Sequence, residues 1–516
     1  MHIDDALNTR KWLLNLRAPV EDDIQDIMDL MSPFTADINR TTSPDRNRIS
    51  GCFDSTAMTA ADALANFVIA NVFPPTGDWL RFRSRGKEGP DVQDALDQAA
   101  EKLLVEYAQS NFYPQMGKFI RDLLLIGNAG LYVESRTALN DDDPSNIFGG
   151  FTFEAVPFGQ FARYVDRNGD VLAAARDFVL SAFEVERQFG VTVDAAKFDP
   201  IKLSHIVTAG NGDRAYDSAF AIVGGADNQV VATGGHDFMP YIAARLEMVG
   251  DFQYGYGRGH LARPTAAGMN EARRLTLNAM GKDLDPPLVV EHDSVVTTAR
   301  VEGGIITKKP DTDPLTFLRS GTDYSAADRV AREDQAEIAR AFMSDLVLDP
   351  DTQPRSAEES RQRAIRIANR SAGIGVAISH GALTPATELT ANIMMRDGAL
   401  EELKEGGIDV EFVSPFFSLQ RAAATQKLID FAGLMTQLSS LAQDPGILDK
   451  ADIDQIAEMV AENSDVPARA IRIEDDVQQR RLARNEAEAE AQFAQNASAL
   501  AAVPQVEPNT PGLELS

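Results

Sequence analysis

Residues 254–282 read YGYGRGHLARPTAAGMNEARRLTLNAMGK. The glycines at 255, 257 and 259 alternate and are out of register with the G-x-G-x-x-G of a dinucleotide loop, so they predict a tight backbone corner ahead of a helix. With Pro264 in its first turn, that helix is predicted to run to Lys282, where Asp285-Pro286-Pro287 ends it. It carries two apolar faces, Met269, Ala272, Leu275 and Ala279 on one, Leu277, Met280 and Leu284 on the other. A lone surface helix needs one such face. Two suit a helix packed between neighbours in a ring, or one buried inside a monomer. A second long helix is predicted over residues 325–346, SAADRVAREDQAEIARAFMSDL, with Ser325 and Asp328 resembling a capping box. Between the two lie β-rich runs, Leu288–Val290, Val295–Val301 and Ile305–Ile306, punctuated by Gly303-Gly304 and Pro310. A helix pair holding out a small β module of about 40 residues is a specific shape.

Working outward, the first third reads as helical. Pro19 with Glu21, Asp22 and Asp23 predicts a helix start, followed by the stripe Ile24, Ile27, Met28 and Met31. A helix over Ser55–Val72 presents Ala57, Ala60, Ala61, Leu64, Ala65 and Val68, a small-residue face that lets another helix approach closely. Further helices are predicted over Val92–Ser110 and Tyr113–Ile126. Between Gly130 and Gly250 the pattern turns to strands, at 131–133, 151–153, 163–165, 171–175 and 222–223, with Asp166-Arg167-Asn168-Gly169 as a hairpin turn. Asn140–Pro144 reads as an acidic loop. Past the second long helix come a loop rich in Asp and Pro, then a helix opened by Ser356-Ala357-Glu358-Glu359 and interrupted near Gly373–Gly375 and Gly381–Pro385. Val410–Val413 reads as a strand. Helices follow over 418–443, 450–462 and from about 474, and an Ala-, Glu- and Gln-rich tail from 485 is expected to be mobile. The fold class is α+β, mainly helical.

Composition narrows the function. The chain has 516 residues, 44% hydrophobic, with 49 basic against 78 acidic side chains and a net charge of −29. It can bury a sizeable core, and at roughly 150 residues per domain the length suggests about three structural units or a single interlocked architecture. The acidity argues against a basic groove gripping phosphates, which excludes a monomeric DNA-binding protein. Cys52 is the single cysteine, so neither an intrachain disulfide nor a Cys-based metal site can form, in keeping with a reducing environment. The chain opens without a basic-then-apolar leader, and no apolar window is long enough for a membrane span. There is no P-loop, no G-x-S-x-G elbow, and the six histidines form no metal box. Glu291-His292-Asp293 invites a catalytic reading, yet adjacent side chains point different ways, as in a surface turn. Carboxylate pairs such as Asp334/Glu337 or Glu401/Glu405 are common in so acidic a chain and read as solvated helix faces. Neither a catalytic activity nor a cofactor is expected.

Five segments then occur in one order: Asp54-Ser55-Thr56-Ala57 with Leu64-Ala65, Phe73-Pro74-Pro75 and Trp79; Ser110-Asn111-Phe112 with Leu123–Gly127; Gly250–Gly259 leading to Pro286-Pro287-Leu288; Ser356-Ala357-Glu358-Glu359; and Ser414-Pro415 with Ile447–Asp454 and Val466-Pro467. In this the chain, from about residue 10 to residue 485, resembles the portal proteins, or head-to-tail connectors, of short-tailed double-stranded DNA phages. The resemblance implies a ring of twelve subunits around a DNA channel at one capsid vertex of the virion, assembled in the host cytoplasm, through which the genome is packaged and ejected. It implies a wing (1–262 and 356–417), a first stem helix (263–282), a clip (283–322), a second stem helix (323–346), a tunnel loop (347–355), a helical crown (418–484) and a mobile tail (485–516). The implied partners are the large terminase subunit, a tail adaptor or tube protein, capsid and scaffold proteins, internal core proteins and the passing DNA, with no membrane.

On that frame the channel-facing candidates are Arg273, Arg274, Lys282, Asp349, Asp351 and Arg355. For the basic ones, a solvated charge or an intersubunit salt bridge is the competing reading. The clip candidates for partner docking are Val295, Val296, Arg300, Val301, Ile305, Ile306, Lys308 and Lys309. An acidic subunit suits a conduit, because a lumen that repels phosphates offers no deep wells in which DNA would stick. The rival readings are another phage structural component, an adaptor or internal scaffold, and a hydrolase using two of the many carboxylates, for which replacement of Glu291 and Asp293 is the check.

Overall fold

The computed structural model describes residues 3–34, 51–84, 90–137, 147–210, 214–224, 229–284, 288–291, 305–308, 316–317, 324–344, 370, 372–400, 408–413, 415–442, 452, 455–457, 459–460, 477–484 and 486–487. Its contacts divide the chain into a large unit, Met1–Gly86 with Leu96–Ala423, and a smaller one, Lys87–Ala95 with Ala424–Ser516. The described residues of the smaller unit are mainly helical.

In the large unit the first helix, α1 (Ile3–Met31), begins well before Pro19 and runs through it. The proline sits on the exposed side of the helix, where the carbonyl it leaves without a backbone partner is open to solvent. The buried stripe is continuous across it: Ala6, Leu13 and Arg17, then Ile24, Ile27 and Met31. Arg17 is buried and donates to the carbonyls of Phe158, Gly159 and Phe161 and to the Glu21 carboxylate, tying α1 to the start of the sheet region. Helix α2 (Thr56–Val72) buries the whole predicted small-residue face, packing most extensively on α4 (Phe112–Ile126) and also on α1. Between them in sequence lies α3 (Pro90–Gln109). Around the start of α4 an aromatic cluster forms, with Tyr107 stacked on Phe112 at 4.0 Å and Trp79 on Phe112 at 6.3 Å. Trp79 Nε1 donates to Tyr113 Oη, and Tyr107 Oη pairs with Thr390 Oγ1, so these large rings bury apolar area without stranding a polar atom.

The strand region is richer than the sequence pattern suggested. One antiparallel sheet orders β3-β2-β9 (Phe148–Val156, Asn128–Thr137, Tyr241–Arg245). A second is an antiparallel meander, β4 (Phe161–Val165), β5 (Val171–Ser181), β6 (Pro200–Ala209), β7 (Tyr216–Ile222) and β8 (Gln229–His236). The expected turn joins β4 to β5: Asp166 Oδ1 accepts from the amides of Asn168 and Asp170, and Gly169 takes φ +100°. Helix α5 (Ala182–Phe189) closes onto β5 through a Ser181/Glu184 capping box. Strand β1 (Leu80–Ser84) pairs antiparallel with β13 (Ile408–Phe412), far away in sequence. The interruption predicted at Gly381–Pro385 is instead a π turn, Ser379–Leu383, leading directly into α8 (Thr384–Arg396), and Gly373–Gly375 lies inside the helical stretch 372–378. Helix α9 (Pro415–Ala442) follows β13. The acidic loop at 140–144, the capping box at 356–359 and the tail from 488 on lie outside the described residues.

Candidate assembly surfaces around the long helix pair

The corner read from the glycines is a backbone-on-backbone contact. A Cβ on Gly257 would lie 2.3 Å from the Gly127 amide nitrogen, and one on Gly259 would lie 2.5 Å from the Leu125 carbonyl oxygen. Gly127 itself is the left-handed C-cap of α4, at φ +72°. Asn128 locks the junction. Its Nδ2 donates to the carbonyls of Ile126 and Gly255, and its Oδ1 accepts from the Gly255 amide and from Arg163 Nη2. Arg163 is buried with its guanidinium 4.9 Å from the Tyr254 ring centre, and desolvation lowers its pKa to about 10. The segment that launches the helix is therefore clamped to the core.

From that clamp α6 (Arg258–Leu284) extends, buried at Gly259, Ala262, Ala266 and Met269 and exposed beyond. It starts before the predicted boundary because the glycine corner already takes helical turns at Arg258. Arg263 pairs with Asp23 at 2.8 Å, and Asn270 accepts from the Phe53 amide, so α1 and the 51–54 segment flank its first half. The return helix α7 (Tyr324–Ala341) ends short of the predicted Leu346. Met343 takes φ +55°, and Ser344 Oγ and Arg370 Nη2 bond the carbonyls of Ala339 and Arg340, finishing the helix as a C-cap glycine would. Between the helices lies the expected β module: β10 (Leu288–Glu291) pairs parallel with β11 (Ile305–Lys308) and antiparallel with β12 (Thr316–Phe317). A groove of about 750 Å³ runs between α6 and α7, lined by Phe53, Met269, Thr276, Met280, Val330 and Ala331.

Of the channel candidates, Arg273 lines this groove, Arg274 pairs with Glu271 of its own helix, and Lys282 is exposed near the end of α6. Ile305, Ile306 and Lys308 form β11. Val295, Val296, Arg300, Val301, Lys309, Asp349, Asp351 and Arg355 lie outside the described residues, as do His292 and Asp293. The two apolar faces of α6 divide in an informative way. Met269 is buried, while Leu275 (53%), Leu277 (44%), Met280 (44%) and Leu284 (85%) stay exposed. Sequence reading missed the groove, because it needs residues from three separated segments. It also passed over His205, buried against Phe220 with its rings parallel at 4.1 Å and its Nδ1 bonded to Tyr241 Oη. Among the described residues, no cluster of His, Cys, Asp and Glu could hold a metal ion, and no helix is long and apolar enough to cross a membrane.

The molecule is thus a mixed helix-and-strand protein in which a clamped helix pair carries a separate small sheet. The family model for the bacteriophage head to tail connecting protein matches residues 4–471, and the chain belongs to that family. It is 23% identical over 478 residues to a probable portal protein of Bordetella phage BPP-1, covering 85% of this chain and 83% of that one. It also resembles a chain in the neck of an empty GTA particle, computed with C6 symmetry, at 13% identity and a TM-score of 0.33, covering 74% of this chain and 86% of that chain.

Proposed function

We propose that the protein is the portal of a short-tailed phage, a non-enzymatic ring of twelve copies at the head-tail junction through which double-stranded DNA enters and leaves the capsid. The helix pair α6/α7 is then the stem, the β10–β12 module the clip, residues 347–355 the tunnel loop and 418–484 the crown. The clip takes the large terminase subunit during packaging and the tail adaptor afterwards, while the wing meets capsid, scaffold and internal core proteins.

Beyond family membership, the observation that carries this reading is α6. Its own protomer covers only one strip of it and leaves Leu275, Leu277 and Leu284 exposed. Exposed leucines on two separate flanks of a long helix call for protein partners on both sides, and a head-to-tail contact between identical copies closes into a ring when its rotation permits. Electron microscopy of the purified full-length protein tests the reading. Rings with an axial hole are expected; single compact particles at high concentration would overturn it.

A further inference from the structure

We propose, resting on the ring reading above, that α7 rather than α6 lines the bore, and that it meets DNA phosphates through a stripe formed by Arg329, Arg332 and Arg340. The two helices show opposite surface chemistry once their shared groove is set aside. On α6 the flanks on both sides of the groove strip are apolar, Leu275 on one and Leu277 with Leu284 on the other, and the polar back carries Arg274 neutralised by Glu271, with the exposed Lys282 near the end of the helix. That suits burial between two neighbouring copies. On α7, Ile338 is fully buried and Ala327, Ala331 and Asp334 face the groove, while Arg329, Arg332, Ala336 and Arg340 are all exposed. At 100° per residue these four fall on one stripe opposite the groove, and Arg329 to Arg340 spans about 16 Å along the axis.

The charge arrangement suits a phosphate backbone; the carboxylates of a neighbouring copy are the rival occupant, which the crosslinking below separates. Arg332 is held by Asp328 at 2.6 Å, but both side chains are largely exposed, at 77% and 62%. Such a pair contributes little and can exchange for a passing phosphate. Among the described residues Arg340 Nε bonds its own helix, at the Ala336 carbonyl, and its outer nitrogens are free to reach outward. Glu333 borders the stripe, so the site is weakly rather than strongly cationic, as a conduit requires. Contacts in a regular helical row slow DNA without trapping it.

The test places a photo-crosslinking amino acid at Ala336 or at Leu277 in the full-length protein, with rings verified by microscopy. A blunt linear duplex or a closed circular one is added before irradiation. Position 336 is expected to give adducts with linear DNA and not with circular DNA, and position 277 to give protein–protein adducts. The combined Arg329→Gln, Arg332→Gln and Arg340→Gln variant should lower the DNA yield several-fold and flatten its salt dependence. Equal adducts with circular DNA, DNA adducts at 277, or protein–protein adducts alone at 336 would each overturn the assignment while leaving the ring intact. Absence of rings would instead sink the underlying ring reading.

Discussion

Gly257 and Gly268 belong to the same helix-forming segment, yet the surroundings give them opposite roles. A methyl on Gly257 meets backbone at 2.3 Å, and neither side of that contact has a flexible side chain that could yield; Gly268 has nothing within 4 Å. Gly257→Ala is therefore expected to cost about 3 kcal/mol or more, or to prevent folding. Gly268→Ala should be neutral or stabilise by up to about 1 kcal/mol, because alanine has less freedom to lose in a helix. Chemical denaturation of the two variants decides this. His205 supplies a pH prediction. Burial, reinforced by His236 and Arg176, pushes its pKa from 6.5 down to about 3. Above pH 6.5 the group is neutral in both states. As pH falls below that, the unfolded chain takes up a proton that the folded chain refuses, so stability drops. Near pH 5 the loss from this one group is about 2 kcal/mol. His205→Gln should be less stable at neutral pH, having lost the stacking on Phe220, and its stability should fall less on acidification. An unchanged slope would show that His205 is not the responsible group.

At the scale of elements, helices with a single buried stripe were legible and long-range pairings were not. The face of α2 read from spacing is the face that is buried, residue for residue, because a 3.6-residue period leaves little choice. Helix α1 was cut short at Pro19, since proline normally marks a start; only the burial pattern shows the stripe continuing from Ala6 to Met31. Strand β6 escaped notice because it lies inside a sheet, where burial on both faces erases alternation. Pairing of β1 with β13 depends on a contact between distant segments that no local window contains. The expected assembly role of α6 yields an element-level prediction. Leu275→Glu and Leu277→Glu, at exposed sites, should change folding stability by no more than about 0.5 kcal/mol while abolishing rings in size-exclusion chromatography with light scattering. Met269→Glu, buried at 3% exposure, should instead unfold the protomer. Loss of stability without loss of rings in the leucine variants would contradict the proposed packing.

For the whole molecule, a charge of −29 makes association a contest between apolar contact and mutual repulsion. The screening length shrinks from about 30 Å at 0.01 M salt to about 8 Å at 0.15 M. The fraction of protein in rings, measured by analytical ultracentrifugation, should therefore rise over that range. Rings that dissolve as salt is added would point to ion pairs rather than α6 as the adhesive. The acidic character, the helix pair with its inserted β module and the glycine corner were readable in the amino-acid sequence alone, as properties of composition or of short-range pattern, and the family resemblance was readable there as five segments in one order. Tertiary structure decided which glycine touches which backbone, that Arg273 turns into a groove while the α7 arginines turn outward, and which leucines of α6 its own protomer leaves bare. Those are matters of direction in space. A helical period orders side chains around an axis, but only the packing of the rest of the chain determines which side of that axis meets protein and which meets water.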